Sequence, residues 1–334
     1  MDYQNIRVIE PVGYFKAVAK DVLRGRWQLM FVAALVYILV TDLPGVIFTQ
    51  LFGADIDFYQ LYQIIGGGDS GNIDSSMNEL FSSSAYDGYK YPSALSGIYT
   101  ILVSGPLELG LSIFCIFIIR RAQAGVSLVF SGFTNFLKAF GVTIIIGLIC
   151  FACLLVAIIP TAVIMTSAGN NAVVNGILAF YSLILVSVVL IIIVSLRYGV
   201  VYFILADEPN IKVMECLKKS GRMMKGNKSK MFLLIMSFVG WYILYGISAG
   251  IVGTIMGAIG SVFSFNVPGV ISECMYSIVA ALLLAPIIGY VYTSLTAFYE
   301  KVAGHMVGMD DFDMNENQRP LASDENSNYL DSDR

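Results

Sequence analysis

Six long apolar runs divide this chain of 334 residues. An α-helix rises about 1.5 Å per residue, so about 20 apolar residues are needed to cross the roughly 30 Å of hydrocarbon in a bilayer. Each of the runs reaches that length. We therefore predict an all-α fold, a polytopic membrane helical bundle. Its six transmembrane helices are predicted at residues 29–51, 98–119, 140–165, 176–205, 231–256 and 275–298.

The composition agrees with a place in the membrane. Hydrophobic residues make up 57% of the chain and charged residues only 13%, and the mean hydropathy is +0.75. Soluble domains carry about twice that share of charge. The apolar residues are thus too many for the core of a soluble protein of this size, and the composition favours a multi-pass membrane protein.

Lysine and arginine are sorted by position along the chain. They are concentrated before the first run, between the second and third runs, between the fourth and fifth runs, and after the sixth run. The other connecting segments contain only Lys90. Connecting segments rich in these residues stay in the cytoplasm. We therefore predict a multi-pass protein of the cytoplasmic (plasma) membrane with both termini in the cytoplasm.

Two polar segments stand apart from the predicted helices. The segment 53–97 is rich in Gly, Ser and Asp, and we interpret it as a solvated outer loop of a transmembrane domain that spans residues 1–303. The segment 304–334 is acidic and poor in aliphatic residues. A segment of that composition cannot bury enough apolar surface to fold, so we predict a disordered cytoplasmic tail.

Basic amphipathic segments recur ahead of the predicted membrane helices. Residues 17–31 and 216–232 both end in a turn that contains glycine and leads into an apolar run, and residues 128–141 are a weaker copy. We predict three repeats of an amphipathic helix plus a helical hairpin. Because each unit crosses the membrane twice, the three copies share one orientation.

The clearest of these amphipathic helices is predicted at residues 210–225. Pro209 suits a first helical turn and Gly226 suits the end of a helix. At about 100° per residue the apolar and basic side chains occupy opposite halves of the helix, which is typical of a helix lying in the membrane interface. Alternatively, the basic residues of this helix only fix the orientation of the protein in the membrane. The candidate contacts to headgroups or a partner are Lys212, Lys218, Lys219, Arg222 and Lys225.

Two ionisable residues inside the predicted spans are a candidate polar pair. Glu108 lies in the second span and Arg197 in the fourth, and both helices run in the same direction at comparable depth. Ionisable groups within a membrane are candidate functional sites. The pair is interpreted either as part of a pocket for an ion, a headgroup or a substrate, or as a structural clamp with Arg197 reaching toward the interface.

Several stretches of sequence resemble a known family. They read SGPLELG at 104–110, LRYGVVYFILADEP at 196–209, SGRMMKGNKSKMFLLIMSFVGW at 220–241 and AFYEK at 297–301, and LRGRW at 23–27 also fits. In this order they resemble the signature blocks of a bacterial integral membrane family called domain of unknown function 975. The resemblance implies a six-helix membrane domain, similar in layout to the membrane domain of some glycerophosphodiester phosphodiesterases. It implies no activity.

Residue patterns of common enzymes are missing from the apolar runs. The sole histidine, His305, follows the last run, so neither a Ser/His pair nor a HExxH zinc site is available within the membrane. Asp42 is the only aspartate well inside the predicted spans, whereas an intramembrane aspartyl protease needs two. We predict that the protein is not an enzyme and has no catalytic residue, cofactor or metal site.

Two functions fit these features. The first is a non-catalytic scaffold or accessory protein whose basic segments bind anionic lipid headgroups or another membrane protein, without a nucleic-acid partner. The alternative is a permease or channel for a small solute or lipid that uses Glu108 and Arg197. A cavity that reaches both residues favours the permease, and a filled bundle favours the scaffold.

Overall fold

A computed structural model of the protein describes residues 7–53, 94–166, 172–263 and 269–305. Within these ranges every regular element is helical. Most of the predicted outer loop and nearly all of the predicted tail lie outside them. The elements are α1 (Val12–Val22), α2 (Trp27–Phe52), α3 (Ala94–Ile119), a 3-10 segment (Val126–Asn135), α4 (Phe136–Thr166), α5 (Ala172–Tyr198), α6 (Val201–Asp207), α7 (Val213–Met223), α8 (Lys228–Met236), α9 (Val239–Phe263) and α10 (Gly269–Val302).

The predicted all-α bundle with six membrane spans is confirmed. Six helical stretches of the described residues are long and apolar enough to cross a membrane, and each contains one predicted run or nearly all of it. The fourth and fifth spans are each made of two helices. The first interruption lies at Gly199 and Val200, between α5 and α6, and the second at Ser237 and Phe238, between α8 and α9.

Helix α3 is the central helix of the bundle. Of its most apolar 18 residues 61% are buried, against 28% or less in each of the other spans. It contacts α2, α4, α6, α10 and the 3-10 segment. Small residues such as Gly105, Gly110 and Ser112 let these neighbours approach closely, as is common where helices pack in membranes.

The 3-10 segment lies directly on the backbone of α3. A Cβ atom added at Gly110 would stand 1.8 Å from the carbonyl oxygen of Val129, and one added at Gly132 would stand 1.9 Å from that of Pro106. Only glycine permits two backbones to come this close. The weaker repeat copy at 128–141 therefore begins as a 3-10 helix that follows the surface of α3 and continues into α4.

Two of the predicted repeat copies share their turn geometry. After α1 the Arg24 amide donates to the Asp21 carbonyl, and after α7 the Lys225 amide donates to the Arg222 carbonyl, both at 3.0 Å. The glycines that follow, Gly25 and Gly226, have φ values of 80° and 90°. The left-handed region is costly for residues with a side chain, which explains glycine in both turns. The threefold repeat as a whole stays a prediction.

The main hydrophobic core lies at one end of the bundle. There α1 packs against α10, the 3-10 segment against α3 and α7 against α6, and the Phe15 ring meets the Phe298 ring edge-on at 5.4 Å. Elsewhere the spans expose large apolar side chains such as Leu148 and Leu185, the surface expected to face lipid. Polar contacts join the cationic connecting segments at this same end, here called the basic end. Examples are Lys301 with Glu10, Arg121 with Asp21 and Lys219 with Glu208.

Candidate functional site

Helix α7 lies at the basic end with one face against the bundle. It begins at Val213, so the prediction that Pro209 opens the helix is wrong, and it ends before Gly226 as predicted. Ser220 Oγ donates to the Arg197 carbonyl at 3.0 Å, and Cys216 Sγ lies 3.4 Å from the Val201 carbonyl. These contacts fix the rotation of α7, so its opposite face is turned away from the bundle.

The outward face of α7 carries most of the predicted cationic contacts. Lys218 and Arg222 are exposed on the helix, Lys212 is exposed at its N-cap, and Lys225 is exposed just after its C-cap. Lys219 is different because only 7% of it is exposed and its Nζ lies 2.6 Å from Glu208 Oε1. Its assignment as a headgroup contact is corrected: Lys219 sits at the edge of the apolar face, where Glu208 covers it.

The predicted pair of Glu108 and Arg197 does not form. Among the ion pairs of the described residues none joins these two side chains. Arg197 lies in the last turn of α5, where it is exposed and packs beside Gly221 of α7, with its guanidinium 5.6 Å from the Tyr198 ring. Comparable depth was predicted, but the rotation of α5 directs the arginine to α7 instead of α3.

Tyrosine hydroxyl groups lie near Glu108 instead. Its carboxyl lies within hydrogen-bonding reach of Tyr292, which in turn is within reach of Tyr37. The Tyr202 hydroxyl, bonded to Thr143 Oγ1 at 2.8 Å, completes the cluster. These side chains come from α2, α3, α4, α6 and α10, so the cluster joins neighbouring helices. The arrangement supports the structural interpretation of Glu108 as a clamp.

A second charged cluster closes the basic end. Arg120, just after α3, places Nε 2.9 Å from Glu300 Oε1 and Nη2 2.8 Å from Asp207 Oδ1. Tyr299 donates to Asp207 Oδ2 at 3.1 Å, and His305 Nδ1 lies 3.1 Å from Glu300 Oε2. The Glu300 side chain is only 3% exposed. One guanidinium thus ties the ends of α3, α6 and α10 together.

The environment of Arg120 keeps its guanidinium charged. Partial burial by itself lowers the pKa of Arg120, but hydrogen bonds and charge from Asp207 and Glu300 outweigh burial and raise the pKa above its usual value. This cluster was not predicted from the sequence. A signal was present, since each of the three residues directly follows an apolar run, but nothing in the sequence shows that these ends meet.

Among the described residues, neither the Cys216 thiol nor a cluster of possible metal ligands forms a further site. Burial raises the pKa of the Cys216 thiol to about 12, with Lys219 opposing the rise, so the thiol stays protonated at neutral pH. No group of three or more His, Cys, Asp or Glu side chains in the described ranges is arranged to hold a metal ion. The predicted lack of a catalytic residue stays a prediction.

Comparison with known proteins places the chain in a family. A search of curated proteins and a search of solved structures each found no match. The predicted likeness in layout to the membrane domain of glycerophosphodiester phosphodiesterases therefore stays a prediction. A scan against protein families matches residues 14–305, which include α1 through α10 almost completely. The predicted family is confirmed: the chain belongs to the family described as protein of unknown function (DUF975).

Proposed function

We propose that this protein is a non-catalytic scaffold of the bacterial cytoplasmic membrane that binds anionic lipid headgroups at its basic end. The observation that supports this function is the outward face of α7, where Lys218, Arg222 and Lys225 are exposed while the other face is held by the bundle. A helix fixed in this way presents its cations at a constant depth. Both termini then lie in the cytoplasm, on the side of the anionic inner leaflet.

Electrostatics gives the expected strength of this binding. A lysine or arginine near an anionic membrane surface contributes about 1 kcal/mol. Three such residues on one face therefore contribute roughly 3 kcal/mol, or about a hundredfold in affinity. A second membrane protein with an acidic cytoplasmic surface would meet the same cations and is the other candidate partner. The permease alternative is less supported because the pair on which it rested, Glu108 with Arg197, does not form.

A triple variant tests the proposal. Changing Lys218, Arg222 and Lys225 to Gln removes the cationic face and leaves the buried face of α7 intact. In discs that contain phosphatidylglycerol and phosphatidylcholine, native mass spectrometry is expected to detect far fewer retained phosphatidylglycerol molecules on the variant. The expected loss of affinity is about a hundredfold.

The matched control changes three other cations at the same end, Arg7, Lys20 and Lys228, to Gln. It alters the net charge equally but leaves α7 untouched, so it is expected to lose much less phosphatidylglycerol. If the α7 variant retains as much phosphatidylglycerol as the wild type, or if the control loses as much as the α7 variant, the proposed role of this face is wrong.

A further inference from the structure

A groove of about 160 Å³ opens on the side of the bundle, away from α7. It lies between the first turn of α2, the beginning of α9 and the middle of α10. The side chains that line it are apolar and aromatic: Trp27, Phe238, Trp241, Pro286, Ile287 and Tyr290. Such a lining offers few hydrogen-bonding groups, and a polar solute would lose its contacts with water there. The groove is therefore suited to hydrocarbon.

The groove begins at the level where a membrane span begins. Trp27 is the first residue of α2, and its side chain is partly exposed, as is that of Trp241 in the first turn of α9. The Tyr290 ring lies 6.0 Å from the Trp27 ring and 5.2 Å from the Phe238 ring, so these side chains share one level. Exposed tryptophan at the end of a span is typical of the membrane interface. An occupant of the groove therefore meets the interface at this level.

Lys16 of α1 lies at the edge of the groove. Its Nζ is 4.4 Å from the centre of the Phe238 ring and donates to the Ser237 carbonyl at 3.0 Å. The Lys16 carbonyl accepts a hydrogen bond from the Tyr290 hydroxyl at 3.3 Å. Helix α10 runs toward the basic end, so Pro286 lies deeper in the membrane than Tyr290. The groove thus leads from an ammonium group into the hydrocarbon.

The charge of Lys16 is not balanced by a carboxylate. Among the ion pairs of the described residues none includes Lys16. Burial lowers the pKa of the Lys16 ammonium, because the charged form loses contact with water. An ammonium group has three N–H donors, and Ser237 accepts one of them. The remaining donors can bind an anionic group, which would offset the cost of burial.

We propose that this groove binds one phospholipid, with the lipid phosphate on the Lys16 ammonium and an acyl chain against the aromatic side chains. A phospholipid has an anion and a hydrocarbon chain in the order in which Lys16 and the groove present themselves. A helix of another protein would cover the apolar wall but would bring no phosphate to Lys16. No residue of α7 lines the groove, so the site is independent of the proposed scaffold function.

Tryptophan fluorescence reports directly on the groove, because the chain has two tryptophans and both line it. The full-length protein is freed of lipid in detergent and titrated with phosphatidylglycerol whose acyl chains carry bromine, which quenches tryptophan on contact. Quenching is expected to saturate near one lipid per protein. Diacylglycerol with the same brominated chains lacks the phosphate, and its half-saturation is expected at about fivefold higher concentration, the effect of one lysine beside an anionic headgroup.

Lys16→Gln tests the phosphate contact. The variant loses the charge but keeps an N–H donor, so half-saturation by phosphatidylglycerol is expected at about fivefold higher concentration. The diacylglycerol curve is expected to stay unchanged, whereas a merely structural role of Lys16 would shift both curves alike. Lys20→Gln removes an exposed cation one turn further along α1 and is the matched control.

Ile287→Phe tests the contact with the acyl chain. The larger side chain narrows the groove, so the half-saturation concentrations of both brominated lipids are expected to rise. Leu282→Phe is the matched control, because Leu282 is an exposed residue of the same helix outside the groove, and it is expected to change neither concentration.

Three results would overturn the proposal. The first is quenching that does not saturate, which indicates only bulk contact with lipid, or equal half-saturation by the two lipids in the wild type. The second is a shift that Lys20→Gln reproduces. The third is a lack of quenching, which indicates that a protein segment covers the tryptophans. The variant with Lys218, Arg222 and Lys225 changed to Gln is expected to be quenched like the wild type, so failure of the scaffold function would leave this result unchanged.

Discussion

A Gly132→Ala variant is expected to be strongly destabilised, because the new methyl group has no room. The added Cβ would stand 1.9 Å from the Pro106 carbonyl oxygen and 2.6 Å from the Gly110 amide nitrogen. Both atoms belong to the backbone of α3, which is the central helix and cannot turn aside as a side chain would. The 3-10 segment must therefore separate from α3.

We estimate the cost of this separation at about 3 kcal/mol or more, the upper part of the range for overpacked cores. That is a large fraction of the roughly 5–15 kcal/mol by which proteins are stable. Gly110→Ala is expected to behave alike, because its Cβ would stand 1.8 Å from the Val129 carbonyl oxygen. For both variants and the wild type, the thermal midpoint of unfolding and the monodisperse fraction of the protein are measured after extraction in detergent.

Gly147→Ala is the matched control, since nothing lies within 4 Å of a Cβ added there. Within a helix, alanine is favoured over glycine by about 1 kcal/mol, so this variant is expected to be as stable as the wild type or slightly more so. If Gly132→Ala has the same thermal midpoint as Gly147→Ala, the close contact between the 3-10 segment and α3 is wrong.

Changing Arg120 to Gln is expected to cause the second large loss of stability. The guanidinium is removed from Glu300, whose side chain is 3% exposed, and from Asp207, whose side chain is 17% exposed. Removing one partner of a buried ion pair costs about 3–5 kcal/mol because a buried charge is left without its partner. We expect about 3 kcal/mol here, the lower end, since the Arg120 side chain is itself 42% exposed.

The next residue provides a control of the same type. Arg121 pairs with Asp21, but the two side chains are 58% and 40% exposed, and an exposed pair contributes about 1 kcal/mol or less. Arg121→Gln is therefore expected to change the thermal midpoint little. Combining Arg120→Gln with Glu300→Gln is expected to recover part of the loss, because the more deeply buried of the two carboxylates, that of Glu300, is then replaced by a neutral amide. Equal midpoints for the two arginine variants would contradict a structural role for the Arg120 cluster.

The spans were predictable because their signal is local. A run of about 20 apolar residues crosses the bilayer whatever the rest of the chain does, so the six helices could be located from sequence alone. The breaks within the fourth and fifth spans were not predicted. At Gly199 and Val200, for example, the apolar run continues through the interruption without a charged residue or a proline.

The site predictions for Arg197 and Lys219 were wrong because they depend on how the helices are rotated and on which tertiary contacts form. Depth along a helix follows from counting residues, but the direction of Arg197 depends on how α5 is rotated against α7, which no local pattern specifies. Lys219 falls about 40° from Met223 on an ideal helix, at the margin of the apolar half. A residue at the margin becomes buried or exposed according to its neighbours, and here Glu208 from the preceding turn pairs with it.

The charged cluster needed the structure for the same reason. Arg120, Asp207 and Glu300 each mark the end of an apolar run, which the sequence shows, but their meeting depends on how α3, α6 and α10 pack.

The lipids that accompany the protein out of its own membrane show whether the basic end of the bundle binds anionic lipid. The wild type and the variant with Lys218, Arg222 and Lys225 changed to Gln are extracted into polymer discs without detergent, and the lipids are quantified by mass spectrometry. If the basic end binds anionic lipid, the wild type carries a higher share of anionic phospholipid than the bulk membrane and the variant does not. A wild-type share equal to that of the bulk membrane would show that the basic end does not select anionic lipid.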